Sequence, residues 1–287
     1  MARTIIQKNR VAVITGAAAG IGLAATKFLA EKGMKLVLFD INEDALKAVV
    51  ETLPTEAVYL GGDVRDYSAL EKLHQLTYET FGECALLFNN AGIGKKAGPL
   101  DAYSDWEETM AVNFSSIVNL QHLFVPTMLA QNNEGAVVNL GSKEGITTPP
   151  GNVAYSVSKG AVKILTEHLQ HELRNIPDCQ VSAHLLVPGY TWTPMNFPEA
   201  DFERPETKPE APWSAEELLE YFYKRFEQGD FYIIALDNEV TKVIDDRRMR
   251  WAMDDLIYNR PALSRWDKDY QEAFVSWQNK GPLPDED

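Results

Sequence analysis

A glycine-rich turn between a short apolar run and an amphipathic segment constrains the fold of this chain most strongly. The run Val11–Thr15 has the composition of a buried strand, and Gly20–Ala30 places apolar side chains at helical spacing. Between them, the sequence TGAAAGIG (residues 15–22) supplies glycines where the backbone must turn tightly. A strand, a glycine-rich turn and a helix in this order indicate the first unit of a dinucleotide-binding sheet.

The same alternation of strand-length and helix-length segments continues along the chain. Further strands are expected at Lys35–Asp40, Ala57–Leu60, Ala85–Asn89, Ala136–Leu140, Val181–Val187 and Phe231–Ala235. Helices are expected at Ala45–Leu53, Tyr67–Phe81, Ser104–Gln131 (in one or two pieces), Tyr155–Arg174, Ser214–Phe226 and Glu239–Tyr258. The pattern predicts an α/β fold: a doubly wound Rossmann-type domain with a mostly parallel seven-stranded sheet and helices on both faces.

We expect residues 1–287 to form a single domain. Residues 194–230, which begin with a stretch rich in proline and acidic residues, are expected to form a substrate loop or lid. Residues 236–287 are expected to form a C-terminal helical extension, in which Gly281–Asp287 is frayed.

Composition argues against several classes of partner. The formal net charge of −15 repels phosphate backbones, so no nucleic-acid partner is expected. Cys84 and Cys179 form neither a disulfide framework nor a metal-binding pair, and His168 and His171 lack an evident third ligand, so no metal site is predicted. The first ten residues contain no long apolar run, which predicts neither a signal peptide nor a membrane span and favours a cytoplasmic location.

The glycine-rich turn and the end of the second strand together predict the cofactor. The helix that starts near Gly20 offers backbone N–H groups to a pyrophosphate. Asp40 follows Gly16 by 24 residues, where a carboxylate accepts hydrogen bonds from ribose hydroxyls and repels a 2′-phosphate. No Arg or Lys stands at residues 17–19 or directly after Asp40, which favours NAD over NADP. Asp40 could instead cap the next helix, although Asn42 is better placed to do so.

Two further acid–base groups stand at helical spacing. Tyr155 and Lys159 are four residues apart and project from one face of a predicted helix. A phenol with a pKa of about 10 is a poor base at neutral pH, but a neighbouring ammonium favours the phenolate. Ser142, just past the fifth strand, could bind a substrate oxygen. Taken alone, the pair is equally consistent with a surface Tyr–Lys contact, because this spacing is a weak motif.

Together these motifs resemble the short-chain dehydrogenase/reductase family over about residues 8–193. The matching features are TGAAAGIG (15–22), Asp40, Asp63–Val64, NNAG (89–92), Asn113 in MAVNF, Ser142 after VVNLG, YSVSK (155–159) and the segment Pro188–Thr193. The sequence departs from many members at Gly141, where they carry a second serine, but the catalytic serine matches Ser142.

The resemblance implies a role for each matching residue. Tyr155 would be the general acid/base, and Lys159 would lower its pKa and hold the nicotinamide ribose. Ser142 would position the substrate oxygen, and Asn113 would hold a water that relays protons to Lys159. The implied cofactor contacts are Gly16, Ala19, Gly20, Ile21, Gly22, Asp40, Ile41, Asp63, Val64, Asn90, Ala91, Gly92, Tyr155, Lys159, Pro188, Gly189, Thr191 and Thr193. Asp63, which would accept from the adenine amino group, could also be an ordinary turn residue.

The substrate side is less defined. The expected substrate contacts are Gly94, Ser142, Glu144, Pro149, Tyr190, Met195 and Phe197. Five of the six tryptophans follow residue 190 and either pack a small core of their own or cover an apolar substrate.

The resulting functional hypothesis is NAD-dependent interconversion of a bulky or aromatic secondary alcohol and its ketone. A 3-oxoacyl-thioester reductase and a non-catalytic NAD-binding regulator are the alternatives. The resemblance also implies a homodimer or homotetramer formed through the helices in Ser104–Gln131 and Tyr155–Arg174, with a small-molecule substrate and no membrane partner.

Overall fold

Seven parallel strands form the central sheet of the computed structural model, which describes residues 5–279. The strands are β1 (Val11–Thr15), β2 (Lys35–Asp40), β3 (Ala57–Gly61), β4 (Leu86–Asn89), β5 (Gly135–Leu140), β6 (Val181–Val187) and β9 (Tyr232–Ile234). Their spatial order is β3-β2-β1-β4-β5-β6-β9, and every neighbouring pair is parallel. The strand order reverses between β1 and β4, so the carboxyl ends of these two strands border the crevice where such sheets bind ligands.

Helices connect the strands and cover both faces of the sheet. They are α1 (Gly20–Glu31), α2 (Glu43–Val50), α3 (Tyr67–Phe81), α4 (Tyr103–Met110), α5 (Ser116–Ala130), α6 (Glu144–Thr147), α7 (Val153–Asn175), α8 (Ala215–Glu227), α9 (Lys242–Ile257) and α10 (Gln271–Gln278). The predicted class, with helices on both faces of a parallel seven-stranded sheet, is confirmed.

Side-chain alternation along the strands produces two separate cores. On β1, Ala12 and Ile14 pack in a cluster with residues of α1 and α8, including Phe28 and Phe222. Val11 and Val13, whose side chains point to the opposite face, belong to a second cluster, which includes residues of α3, α5 and α7. Because both faces are covered, the strands are mainly apolar, as expected for a parallel sheet.

Several elements differ in detail from the sequence prediction. The segment Ser104–Gln131 divides into α4, a π-helix at Ala111–Ser115 and α5, which contains Pro126. The region predicted as a loop after Thr193 includes a short 3-10 turn, and it is followed by β8 (Trp213–Ser214), which pairs with β7 (Thr191–Trp192). The predicted frayed segment Gly281–Asp287 lies outside the described residues.

The start of α8 is as predicted. Ser214 Oγ accepts a hydrogen bond from the backbone N–H of Glu217 at 3.2 Å, and the Glu217 carboxylate accepts one from the backbone N–H of Ser214 at 2.7 Å. This reciprocal capping box fixes the start of α8, which lies within the segment 194–230 that was expected to form a loop or lid. Among the helices of residues 5–279, none combines the length and the apolar character needed to cross a bilayer.

Candidate active site

Backbone contacts between the ends of β1 and β4 build the floor of the crevice. The buried hydroxyl of Thr15 accepts hydrogen bonds from the backbone N–H groups of Asn90 (3.1 Å) and Ala91 (3.2 Å). The Asn90 amide donates in return to the carbonyls of Thr15 (3.0 Å) and Gly16 (3.1 Å). Gly16 has φ +66°, and a β-carbon there would lie 2.9 Å from the Cα of Ala91. The turn therefore requires a glycine at Gly16.

The glycines at the start of α1 leave an open cradle for an anion. A β-carbon on Gly22 would lie 1.8 Å from the carbonyl oxygen of Gly16, so only glycine fits there. Gly20 has φ +52° and lies against Thr193, which brings the segment Pro188–Thr193 to the same place. The N-cap of α1, Ala19, caps no N–H with its side chain. A pyrophosphate fits this cradle, because uncapped N–H groups and the positive end of the helix dipole both face it.

Asp40 ends β2 beside this cradle. One carboxylate oxygen accepts from the backbone N–H of Ala18 at 3.0 Å, and the other accepts from that of Asn42 at 3.0 Å. Asn42 caps α2 by accepting from the N–H of Ala45, as the sequence suggested. Asp40 is therefore held in place with acceptor capacity left for ribose hydroxyls. The next residue, Ile41, is 73% exposed.

Asp63 lies past the end of β3 and is paired with Arg65. Its carboxylate is 2.6 Å from the Arg65 guanidinium and also accepts from the Arg65 backbone N–H at 2.9 Å. The side-chain hydrogen bond from Arg65 is the main reason why the pKa of Asp63 lies below its ordinary value. Both sequence interpretations stay compatible with this geometry, since Asp63 shapes a turn while the neighbouring Val64 is buried.

Tyr155 and Ser142 face each other at the carboxyl end of β5. Burial raises the pKa of the Tyr155 phenol to about 12, a hydrogen bond with Ser142 lowers it, and the charge of Glu144 raises it. Among these neighbours, Ser142 is the group whose hydrogen bond lowers the pKa of Tyr155, and the pKa-lowering role expected of Lys159 stays a prediction. At neutral pH the phenol is therefore a proton donor.

Lys159 is buried close to Tyr155. The residue is only 3% exposed. Its ammonium donates a hydrogen bond to the carbonyl of Leu140 at 2.8 Å and lies 5.7 Å from the centre of the Tyr155 ring. Burial lowers the pKa of Lys159 to about 8. A β-carbon on Gly92 would lie 3.7 Å from this ammonium, so the NNAG segment and α7 meet here.

Asn113 is fully buried in the π-helix. Its Oδ1 accepts from the backbone N–H of Ile93 at 2.8 Å, and its Nδ2 donates to the Ile93 carbonyl (3.0 Å) and to Ser158 Oγ (3.2 Å). π-Helical turns often occur at functional sites because they rotate a side chain out of the regular helical register. In this structure the side chain of Asn113 holds the loop after β4, and its water-relay role stays a prediction.

The expected substrate residues lie on three loops. A β-carbon on Gly94 would lie 3.0 Å from Met195, so the loop after β4 touches the segment that follows Thr193. The rings of Tyr190 and Phe197 lie 5.3 Å apart, and Tyr190 is 45% exposed. Pro149 is half-buried in the loop between α6 and α7.

Glu144 is the one acidic group among them. Its backbone N–H donates to Ser142 Oγ at 3.2 Å, one buried carboxylate oxygen has no partner within the described residues, and burial raises its pKa. An unpartnered carboxyl next to Ser142 can receive a polar group of the substrate.

Two further residues hold this site together and were not predicted from the sequence. Thr15 links β1 to the turn after β4, and Ser158 joins Asn113 to Tyr155 by donating to the Tyr155 carbonyl at 2.7 Å. Both lie within matched motifs, at the end of a buried strand and three residues after Tyr155, and their positions could have indicated them.

Comparison with known protein families decides which dinucleotide-binding family this is. The model of the family described as short chain dehydrogenase matches residues 10–204. This chain belongs to the short-chain dehydrogenase family. It is therefore an oxidoreductase of this family. Some relatives align with nearly the whole chain, whereas others align with a stretch about as long as the family match at residues 10–204.

Three similar proteins illustrate that range. A CLA biosynthesis dehydrogenase/reductase of Lactiplantibacillus plantarum is 28% identical over 272 residues, covering 86% of this chain and 94% of the relative. A 3-oxoacyl-[acyl-carrier-protein] reductase of Thermotoga maritima is 34% identical over 194 residues, covering 66% of this short-chain dehydrogenase and 76% of the relative. The crystal structure of a short chain dehydrogenase/reductase from Burkholderia phymatum in complex with NAD has 30% identity and a TM-score of 0.78, covering 88% of this chain and 96% of that one.

Proposed function

We propose that this short-chain dehydrogenase is an NAD-dependent enzyme that interconverts a secondary alcohol and a ketone. The observation that carries the proposal is the meeting of Tyr155, Ser142 and Lys159 at the sheet edge that also holds the glycine cradle. A non-catalytic NAD-binding regulator on the same fold would have no need to bury a lysine beside a tyrosine, because burying an unpaired charge is costly.

The chain's own residues handle the proton. Bound NAD would accept the hydride of the alcohol or, as NADH, donate one to the ketone. In the direction of ketone reduction, the Tyr155 hydroxyl donates its proton to the carbonyl oxygen, which Ser142 holds by a hydrogen bond. In the direction of oxidation, Tyr155 must first lose its proton, and the nearby Lys159 ammonium favours that loss. The oxidation rate is therefore expected to rise with pH.

The surroundings of Asp40 support NAD over NADP. The carboxylate is fixed by two backbone N–H groups, and the acidic residues Glu43 and Asp44 follow in the first turn of α2. A 2′-phosphate placed here would meet carboxylates, whereas ribose hydroxyls would meet acceptors. If the unmodified protein binds NADP as tightly as NAD, this role of Asp40 is wrong. Asp40→Ala combined with Ile41→Arg is expected to shift the preference toward NADP, whereas Asp44→Ala alone is not.

The substrate is proposed to lie between the loop after β4, the Ser142 loop and the lid. We propose that the part of residues 194–230 that precedes α8 forms a substrate loop, whereas α8 itself packs in the core. Residues 236–287 are proposed to form a helical extension within the same domain. The apolar lid residues Met195 and Phe197 favour a bulky substrate, and the buried carboxyl of Glu144 favours one with a polar group near the carbinol. Assembly into a homodimer or homotetramer, which α5 and α7 would mediate, is part of the same proposal and is tested by light scattering.

Reduction of 3-oxoacyl thioesters is the second candidate, because the Thermotoga maritima relative is a reductase of that class. The two candidates share Tyr155 and Ser142 and differ in the substrate. A panel of secondary alcohols, ketones and 3-oxoacyl thioesters, assayed with both nicotinamide cofactors, separates them.

Tyr155→Phe tests the mechanism. We expect turnover to fall by about 100-fold or more with NAD affinity nearly unchanged, since the ring stays and only the acid/base is lost. Tyr232→Phe is the matched control, because burial also raises the pKa of Tyr232 to about 12 and its hydroxyl is hydrogen-bonded to Glu167, away from the cradle. Steady-state kinetics and NAD titrations of both variants decide the outcome. Retention of most activity by Tyr155→Phe would contradict the proposed mechanism.

A further inference from the structure

The residue after Ser142 is held by the C-terminal part of the chain. The Lys143 ammonium lies 2.5 Å from Asp245 Oδ2 and 3.7 Å from Asp237 Oδ2. The two carboxylate side chains are 7% and 5% exposed, and the lysine side chain is 19% exposed. A cation flanked by two buried carboxylates is a specific arrangement, because any unpaired member would be costly to bury.

Asp237 fixes one side of this ion cluster. Its Oδ1 accepts from the backbone N–H groups of Val240 (2.7 Å) and Glu239 (3.1 Å), which closes the turn after β9. Its Oδ2 accepts from the N–H of Tyr190 at 3.3 Å. One carboxylate therefore touches both the Ser142 loop and the segment Pro188–Thr193, two of the segments that surround the proposed reaction site.

Asp245 fixes the other side. It lies in the first turn of α9, and α9 packs against α6, the short helix that begins directly after Lys143. Burial and the charge of Asp237 raise the pKa of Asp245, whereas Lys143 and Arg248 lower it. Both carboxylates lie beyond residue 204, where the match to the family model ends. The cluster thus joins the shared fold to a part of the chain outside the family match.

Ser142 is sensitive to the placement of Lys143. The Lys143 carbonyl accepts from the N–H groups of Ile146 (3.0 Å) and Thr147 (2.9 Å), so the residue also anchors α6. Ser142 itself accepts from the N–H of Glu144 and is hydrogen-bonded to Tyr155. A shift of Lys143 would therefore move the hydroxyl that holds the substrate oxygen.

We propose that Lys143, Asp237 and Asp245 are positioning residues, through which the C-terminal extension holds Ser142 in its working geometry. The proposal rests on the proposed function. It assigns to the extension a contribution to catalysis that requires no contact with the substrate.

Asp245→Asn is the test, because it keeps the shape of the side chain and removes its charge. We expect kcat to fall by about 10- to 100-fold, the scale of a misplaced catalytic group, with little change in the KM for NAD. We also expect the pH profile of alcohol oxidation to move to higher pH, since a displaced Ser142 no longer lowers the pKa of Tyr155. Glu144 and Lys159, which also face Tyr155, are unchanged in this variant. Lys143→Arg should lie closer to the unmodified enzyme than Lys143→Gln.

Asp255→Asn is the matched control. Asp255 forms a comparably buried ion pair with Arg260 at 2.9 Å within the same extension. Its loss should lower the melting temperature without moving the pH profile. If Asp245→Asn leaves kcat and the pH profile unchanged, or if Asp255→Asn shifts both as much, the proposal is overturned.

Hydrogen–deuterium exchange separates this proposal from the proposed function. Asp245→Asn should speed exchange of the amides of residues 144–148, and Asp255→Asn should not. Unchanged exchange in Asp245→Asn overturns the proposed positioning role of Lys143, Asp237 and Asp245, whatever the substrate is. Absence of turnover in the unmodified protein, or full activity of Tyr155→Phe, counts against the proposed function instead.

Discussion

The proposed catalytic centre and the C-terminal extension bury charge in opposite ways. In the centre, the ammonium of Lys159 has a backbone carbonyl as its hydrogen-bond partner, and no salt bridge to it is found within residues 5–279. In the extension, Arg260 pairs with Asp255 at 2.9 Å, and the guanidinium lies 4.1 Å from the centre of the Trp251 ring. The Asp255 carboxylate also accepts hydrogen bonds from the Ser264 hydroxyl (2.5 Å) and N–H (3.0 Å).

The buried charge of the proposed centre is suited to proton transfer, whereas the buried charges of the extension are suited to fixing how its helices pack. An unpaired buried ammonium destabilises the folded state, and the same burial lowers the pKa of Lys159 to about 8, close to the pH at which it would work. The paired charges of the extension do no proposed chemistry, and their contacts specify how α9 and the following turn pack. Substitutions in the two regions should therefore change stability with opposite signs.

The largest effect is expected for Asp255→Ala. Removing one partner of a buried pair leaves the Arg260 guanidinium without its counter-charge, and the free energy of unfolding should fall by about 3–5 kcal/mol. Urea titration followed by tryptophan fluorescence would measure it, since Trp251 lies at this pair. Asp269→Ala, an exposed position in the same extension, should change stability by less than about 0.5 kcal/mol. A similar loss of unfolding free energy in both variants would mean that the Asp255–Arg260 pair stabilises the fold no more than an exposed residue does.

Lys159→Met should instead stabilise the protein while abolishing turnover. Lowering the lysine pKa from 10.5 to about 8 corresponds to on the order of 3 kcal/mol of lost stability, which the apolar side chain would restore. The sign with pH follows from linkage: between about pH 8 and 10.5 the unfolded chain binds the proton and the folded one does not, so stability rises with pH. The penalty is fully present below pH 8.

Thermal unfolding of Lys159→Met and the unmodified protein across this pH range provides the check. The difference between the two should be largest at neutral pH and should shrink toward pH 10.5. A lower melting temperature for Lys159→Met at pH 7 would show that the carbonyl of Leu140 compensates the buried charge, and the contrast between the two regions would disappear.

The smallest effect is expected for an ion pair outside both regions. Lys163 and Glu167 are 2.8 Å apart on α7, one helical turn from each other, with side chains 34% and 28% exposed. Lys163→Ala should lower the free energy of unfolding by only about 0.3–0.5 kcal/mol, because water and salt screen such pairs. A loss as large as that of Asp255→Ala would show that burial is not what distinguishes these pairs.

The parts of the fold that depend on backbone geometry could be predicted from the sequence. The strands Val11–Thr15, Lys35–Asp40 and Val181–Val187 were predicted with their observed bounds, because each is an apolar run closed by a turn or a polar residue. The glycine cradle was equally visible, since a positive φ at Gly16 and the lack of room at Gly22 demand glycine. The functional roles of the site residues stay predictions, although the structure brings the main ones together.

Features that depend on pairings between distant side chains could not be predicted. The π-helix around Asn113 was not predicted, since the sequence suggested at most a break in a long helix over Ser104–Gln131. Lys143 was visible only as the neighbour of Ser142, and nothing local connects it to Asp245. The turn at Ser264–Trp266 and α10 were also not predicted. Such short elements, held by aromatic and ionic contacts, show little periodicity of apolar residues in the sequence.

The ion pair between Lys143 and Asp245 also has a consequence for the order of events during protein synthesis. The two residues are separated by about 100 residues of chain, which a ribosome making about 5–20 residues per second needs about 5–20 s to add. For most of that time the nascent chain already carries the glycine cradle and Tyr155 but lacks Asp245, the partner proposed to hold the Ser142 loop. A chain interrupted by premature termination before α9 would therefore leave Lys143 without Asp245, even if its sheet had formed.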